Sequence, residues 1–319
     1  MLDSSSPRDQ RVHRTTTPTQ EPTIAASTFV ERTSEAPSLH VRTRLRELWA
    51  YREILLNLVR KELKVKYTAS VLGALWSVLN PIVFLAVFSF VTKVLNNQIP
   101  DFPVFLLSGL LAWNLFNASL LQGSRSVLDN ANLVKKVAFP REILPLSAIG
   151  VAAFDFVLQS AVLLLFIVVS GHGFSATVLL LYPASIVTLL VLSTALVFWV
   201  AALNVRYRDV GHLLNLGLLV WFWMTPIVYQ AGLVQSYFAS RGTPGLWNLF
   251  LLNPLTPVVL GFQRALYGAP VQDGVLVLPD VSVAWQLGVL GIVFVASLVL
   301  LALTWRLFFR MSGDFAEEL

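Results

Sequence analysis

From residue 67 onward, long uncharged stretches alternate with short charged ones, while the first 40 residues show no such rhythm. Seven runs are uncharged or nearly so: 67–92, 102–124, 143–170 with Asp155 inside it, 174–205, 210–240, 242–263 and 281–305. Each is long enough for a spanning helix, which needs about 20 apolar residues. The sixth, GTPGLWNLFLLNPLTPVVLGFQ, carries Pro244, Pro254 and Pro257 with Gly245 and Asn253. Proline removes a helical hydrogen bond and clashes with the preceding turn, so this run cannot be one regular helix facing lipid. Broken backbone persists at membrane depth only where protein or a water-filled cavity covers it. The pattern predicts an all-α integral membrane fold: six spans within 67–310, and short re-entrant helices between spans five and six that take in the tail of the fifth run.

Before the first span, residues 44–66 repeat with helical period. Leu48, Tyr51, Leu55, Leu58 and Val59 fall on one face, and Arg46, Glu53, Asn57, Arg60 and Lys64 on the other. An amphipathic helix with a basic polar face is expected to lie in the membrane interface. Packing on a soluble domain is the alternative, but no such domain is visible. Residues 1–43 are rich in Ser, Thr, Pro and charge and hold no apolar run of seven residues. They read as a disordered cytoplasmic tail, not a signal peptide.

Charge fixes the expected orientation. With six spans and both termini inside, 20 of the 23 Lys and Arg residues lie inside, and only Lys93, Arg241 and Arg264 lie outside. That asymmetry follows the positive-inside rule, although the long tail counts for less than the short loops. It places the N-terminus, the loop near 125–141 and the tail 311–319 in the cytoplasm. A seventh span would expose Arg306 and Arg310 outside.

Composition agrees. The 319 residues are 56% hydrophobic and 13% charged, with a mean hydropathy of +0.70, against roughly 25% charged residues in soluble domains. No cysteine is present, and the four histidines lack metal-ligand spacing, so no metal site is expected. The net charge of +5 clusters at membrane flanks without interleaved stacking aromatics, which argues against nucleic acid. No G-x-x-x-x-G-K-[ST] phosphate loop occurs, so any ATP-driven motor must be another polypeptide.

Few residues suggest chemistry. Asp155 is the only acidic side chain well inside a span, and a structural role, hydrogen-bonded to a neighbouring helix or facing a wet cavity, fits better than a proton path, because no titratable chain accompanies it in sequence. Trp113, Phe116, Trp221, Trp223 and Tyr229 would suit a sugar pathway by stacking; core or lipid-facing packing is the competing reading for each. The loop between spans two and three has the segment DNANLVKKVAF, which predicts a two-turn helix capped by Asp129 or Asn130 and ended by Pro140. Leu133 and Val134 beside Lys135 and Lys136 would suit a partner surface. By charge alone, an ordinary positive-inside loop is equally good.

Four stretches carry a resemblance: RKELKVKYTASVLGALWSVLNP (60–81), LVKKVAFPREILPLS (133–147), NVRYRDVGHLLN with WFWMTPIVY (204–229), and LLNPLTPVVLGFQRALYG (251–268). With the ending GDFAEEL they resemble, in order, the membrane subunits of type-2 ABC exporters of polysaccharides: the O-antigen, capsule and teichoic-acid permeases. The resemblance covers most of the chain after residue 45. It implies a homodimer in the bacterial inner membrane, bound to two copies of a separate ABC ATPase that holds ATP and magnesium, with no cofactor and no catalytic residue on this chain.

By that resemblance residues 129–140 form the coupling helix, with Asn132, Leu133, Lys135, Lys136, Phe139, Arg141 and Glu142 toward the ATPase. The external gate falls within 231–265, around Asn253, Pro254 and Pro257. The expected cargo is a glycan on a polyprenyl diphosphate lipid, and Arg60, Lys61, Lys64 or Lys66 would meet the diphosphate or anionic lipid. Arg outnumbers Lys by 17 to 6, which with the long tail leans toward a cell-wall galactan. The rivals are a type-2 exporter of small drugs or lipids and a membrane-embedded glycosyl- or acyltransferase; the latter lacks the polar cluster it needs.

Overall fold

The computed structural model describes residues 41–68, 73, 75–94, 99–173, 176–243, 245–268, 271–272 and 274–319. All of them fall in the unit Leu39–Leu319, and the predicted tail lies outside them up to residue 40. In chain order the helices are α1 (Val41–Ala50), α2 (Arg52–Thr68), α3 (Leu75–Val94), α4 (Phe102–Asp129), α5 (Ala131–Lys136), α6 (Ile143–Val169) and α7 (Val178–Arg206). They continue with α8 (Val210–Met224), α9 (Ala231–Ser240), α10 (Gly245–Leu251) and α11 (Leu255–Leu266). A two-residue antiparallel hairpin, β1 (Val271–Gln272) with β2 (Val275–Leu276), precedes α12 (Val283–Ser312) and α13 (Phe315–Glu318).

Among the described residues, α4, α6, α7 and α12 are long and apolar enough to cross a membrane, and the pair α10–α11, bent by 90°, makes a fifth if counted as one span. The chain is therefore a helical, multi-pass membrane protein. Two predicted spans come out short: the apolar part of α3 covers Val78–Val91, and α8 has 15 residues. The run 210–240 breaks because Thr225 precedes Pro226, and a residue before proline is driven out of the helical region. Its φ of −104° and ψ of 135° are extended.

Helix α4 is the hub, with α6, α7, α11, α3 and α8 packed around it. Inside hydrocarbon there is no hydrophobic force between helices, so close fit and interhelical hydrogen bonds hold them. Asn114 of α4 donates to Gln159 of α6 at 2.9 Å, and Tyr182 of α7 to Ser160 of α6 at 2.9 Å. Asn204 of α7 donates to the Ser124 carbonyl of α4 at 2.8 Å and accepts from the Gly211 amide of α8 at 3.1 Å, clamping three helices. α4 and α7 approach closely at Gly123, where an added Cβ would lie 2.4 Å from Val197 Cγ1. A β-branched valine cannot rotate away freely, so Gly123→Ala is expected to cost about 1–2 kcal/mol, measured as a lower unfolding temperature in detergent.

At the end of the bundle that carries α5, a second buried cluster joins Leu58, Val127, Val134, Ile143, Leu144, Phe198, Phe308 and Phe315. The expected single helix 44–66 is two helices, starting at Val41 and interrupted at Tyr51. Tyr51 still continues the hydrogen-bonded chain, its carbonyl accepting from Ile54 and Leu55, and the bend keeps Leu48, Tyr51, Leu55 and Leu58 all on this cluster. The segment 311–319 is not a loose tail: α12 runs to Ser312, and Phe315 is fully buried against Phe308.

Candidate functional site

Three places combine charge or polarity with close packing or a broken backbone: the loop around α5, the joint between α2 and α6, and the bent pair α10–α11.

Helix α5 is shorter than its predicted 129–140. Val137 is already extended, with φ −125° and ψ 132°, and Pro140 keeps the chain from resuming a helix until Ile143. Asn130 occupies the N-cap position but does not cap. Its side chain turns back instead, donating to the Ser126 carbonyl at 2.9 Å and accepting from Lys61 at 3.4 Å. Val134 is buried in the cluster below, while Asn132, Lys135 and Lys136 are exposed and Leu133 and Phe139 are half-buried. α5 is thus a short basic projection with one apolar root.

Two of the seven expected coupling residues point elsewhere. Glu142 is 2% exposed and accepts from the Trp305 indole of α12 at 3.3 Å. Arg141 reaches the Gly313 carbonyl at 3.5 Å. Burial lowers the Arg141 pKa, with the neighbouring Glu142 carboxylate opposing the shift; both residues brace α5 against the C-terminal end of the chain.

Asp155 is not isolated. It is 6% exposed, and Lys66 of α2 lies 2.5 Å from its carboxylate while the Tyr67 hydroxyl donates to its other oxygen. One turn and a half earlier on α6, Gly150 admits Val59 of α2 so closely that a Cβ there would stand 2.8 Å from Val59 Cγ2. Two contacts advancing in the same direction along both helices mean that α2 leans along α6.

Elsewhere, α10 and α11 meet at a 90° bend, with Asn253 in the break between them. Asn253 accepts from the Trp221 indole at 2.8 Å and the Leu255 amide at 3.1 Å, and donates to Thr225 Oγ1 at 3.0 Å and the Met224 carbonyl at 3.3 Å. Gln263 of α11 donates to the Pro226 carbonyl at 3.1 Å. The groups freed where α8 ends thus find partners on the hairpin, as broken backbone at membrane depth requires. Pro254 takes the N-cap and Pro257 the first turn of α11, where a missing amide proton costs nothing. A staple closes the end of α11: His172 sits 2.9 Å from both the Asp101 carboxylate and the Tyr267 carbonyl, and the Tyr267 hydroxyl donates to the Pro100 carbonyl at 2.9 Å.

Residues 54–267, enclosing all three places, match the ABC-2 type transporter family. The chain belongs to that family. It is 33% identical over 230 residues to the O-antigen export system permease protein RfbA of Myxococcus xanthus, a match covering 72% of this chain and 86% of that one. It is also 30% identical over 261 residues to a protein of the same name from Klebsiella pneumoniae, covering 82% of this chain and 94% of the relative. An ABC-2 permease is a transport subunit, not an enzyme, and works with a separate ABC ATPase.

In this ABC-2 permease the expected aromatics divide. Trp113 and Phe116 are buried, stacked edge-on to Phe222 and Trp221 at 5.3 and 5.1 Å, and so weld α4 to α8 instead of facing a path. Trp221 and Tyr229 are half-buried, and Trp223 is 55% exposed. Of the basic quartet, Arg60 and Lys64 are exposed, Lys61 pairs with Glu62 at 3.3 Å, and Lys66 is committed to Asp155. The sequence reading missed the Lys66–Asp155 pair and the His172 staple, because their members lie 89 and 71 residues apart and no local pattern joins them.

Proposed function

We propose that this chain is half of a homodimeric channel in the bacterial inner membrane, coupled to two ABC ATPase subunits, that exports a polysaccharide carried on a polyprenyl diphosphate lipid. Support for the cargo comes from its extensive similarity to two O-antigen export permeases. In this reading α3, α4, α6, α7, α8 and α12 are the six spans, both termini are cytoplasmic, and α1–α2 meets the membrane surface. A cell-wall galactan is the favoured polymer.

Coupling runs through α5. A short helix that presents Lys135 and Lys136 to the ATPase and roots Val134 in a cluster shared by α2, α4, α6, α7 and α12 transmits a push to most of the subunit at once. Transmission of this kind needs an element with two arrangements that both sites bias; α2, held to α6 by the Lys66–Asp155 pair, the Tyr67 hydrogen bond and the Val59–Gly150 contact, is that element. The re-entrant hairpin is the external gate, and Trp223, exposed on α8, lines the path.

The test is transport of lipid-linked glycan by the reconstituted permease–ATPase complex. Export of a small amphiphilic dye in place of glycan would overturn the cargo, and turnover of a sugar nucleotide by the permease alone would overturn the transport role. Lys135→Glu with Lys136→Glu is expected to weaken ATPase association about tenfold, roughly 1.4 kcal/mol, while membrane insertion persists. Unaltered association, measured by co-purification at graded concentrations, would refute the α5 assignment.

A further inference from the structure

Between α2, α4, α6 and α8, at the α5 end, lies a cavity of about 340 Å³ that no part of the coupling scheme uses. Its walls include Glu62, Gln122, Arg125, Asp129, Asn130 and Asn215. Arg125, Asp129 and Asn215 are exposed, while Ser124, Ser126, Asn130 and Ser147 are buried. Polar side chains converging from four helices of so apolar a chain mark a ligand or a water path.

The chemistry of the walls selects the occupant. Ser124 and Ser147 spend their protons on carbonyls of their own helices, at 2.9 and 2.8 Å, which leaves oxygen lone pairs as acceptors. Gln122 and Arg125 make no side-chain hydrogen bond among the described residues and supply amide and guanidinium donors, while two carboxylates add acceptors. Donors and acceptors interleaved around one volume suit a molecule that is itself hydroxyl-rich, each hydroxyl giving one bond and receiving another. Formal charge does not favour a diphosphate: Glu62 and Asp129 are matched by Arg125 and by Lys61, which lies 3.3 Å from Glu62 and 3.4 Å from Asn130, so the cleft has no net positive charge. A diphosphate entering it would give up hydration with no countercharge in return.

We infer that this cavity is a cytoplasmic docking site for an uncharged sugar segment of the exported glycan, and that its occupancy is felt by the coupling loop. The inference rests on the export role proposed above. Asn130, on one wall, is the residue from which α5 begins, and Asn215, on the opposite wall, belongs to α8, whose far end is held by the gate residue Asn253. A sugar bridging those walls would touch both the element that meets the ATPase and the span that meets the gate. Binding then favours whichever arrangement of α5 and α8 keeps the walls at bridging distance, since a ligand shifts an equilibrium only through unequal affinity for its states.

The experiment uses the complete exporter from cells making their own glycan. A photoreactive benzophenone amino acid at Leu121, an apolar wall position, should capture carbohydrate on irradiation, read as periodate-reactive material on the chain; the same probe at Trp223 is the channel reference. With Gln122→Ala and Asn215→Ala together, the Leu121 adduct should fall about tenfold relative to the Trp223 adduct, as loss of one or two hydrogen bonds implies, with assembly checked by size. Adduct at Trp223 but none at Leu121 overturns the docking site and leaves the export role standing. No adduct at either position overturns both. A Leu121 adduct erased by inorganic pyrophosphate means a phosphate occupant and overturns the assignment to neutral sugar.

Discussion

Replacing Asn253 with leucine should loosen the re-entrant hairpin by about 3 kcal/mol, because four groups lose their shared partner at roughly 1 kcal/mol each, less whatever relaxation recovers. The Trp221 indole, the Leu255 amide, Thr225 Oγ1 and the Met224 carbonyl all meet on this one side chain. Water cannot substitute freely at membrane depth, so the loss falls on the hairpin itself. Amide hydrogen exchange should rise in α10 and α11 and stay unchanged in α4, and reconstituted vesicles should leak small ions without ATP. Asn253→Asp keeps both acceptor contacts and loses both donations, so it should fall between. Equal exchange in the leucine variant and the wild type would rule out Asn253 as the fastening of this turn.

The second large effect concerns Asp155. Asp155→Leu strips Lys66 of its partner, and breaking a buried pair costs several kcal/mol; with the Lys66 side chain 37% exposed, solvent recovers part of that, leaving about 2 kcal/mol. The loss should be confined to the α2–α6 joint, seen as faster exchange in α2 and a lower unfolding temperature. Transport should fall further than stability, since α2 no longer follows α6. Lys66→Leu added to Asp155→Leu removes the orphaned ammonium, so the double variant should regain part of the stability, while the Tyr67 hydroxyl still loses its Asp155 acceptor. A double variant as unstable as the single one would show that the pair contributes nothing beyond packing.

How much of this was legible before the structure depends on whether the signal was local. The predicted runs 102–124, 143–170, 174–205 and 281–305 correspond to α4, α6, α7 and α12 within a few residues, because uncharged length and the cost of charge in hydrocarbon are properties of contiguous sequence. The broken sixth run was readable from Pro254 and Pro257 for the same reason. Asp155 was marked as costly, yet its partner was not found, since Lys66 looked like one more interfacial cation. The aromatics stayed open for the same reason: Trp113 and Trp223 have the same composition signal, and only packing reveals that one is core and the other exposed. The docking cavity draws on four separate helices, so no stretch of sequence contains it.

The brevity of α8 has an electrical consequence. Fifteen residues rise only about 22 Å, against a hydrocarbon thickness of roughly 30 Å, so the hairpin turn supplies the rest of the barrier along that path. In the exporter proposed here, moving one elementary charge across the full membrane potential costs about 2.3 kcal/mol per 100 mV. Leu252, Asn253 and Pro254 at the turn carry no charge. The turn itself therefore gives the potential no charge to act on.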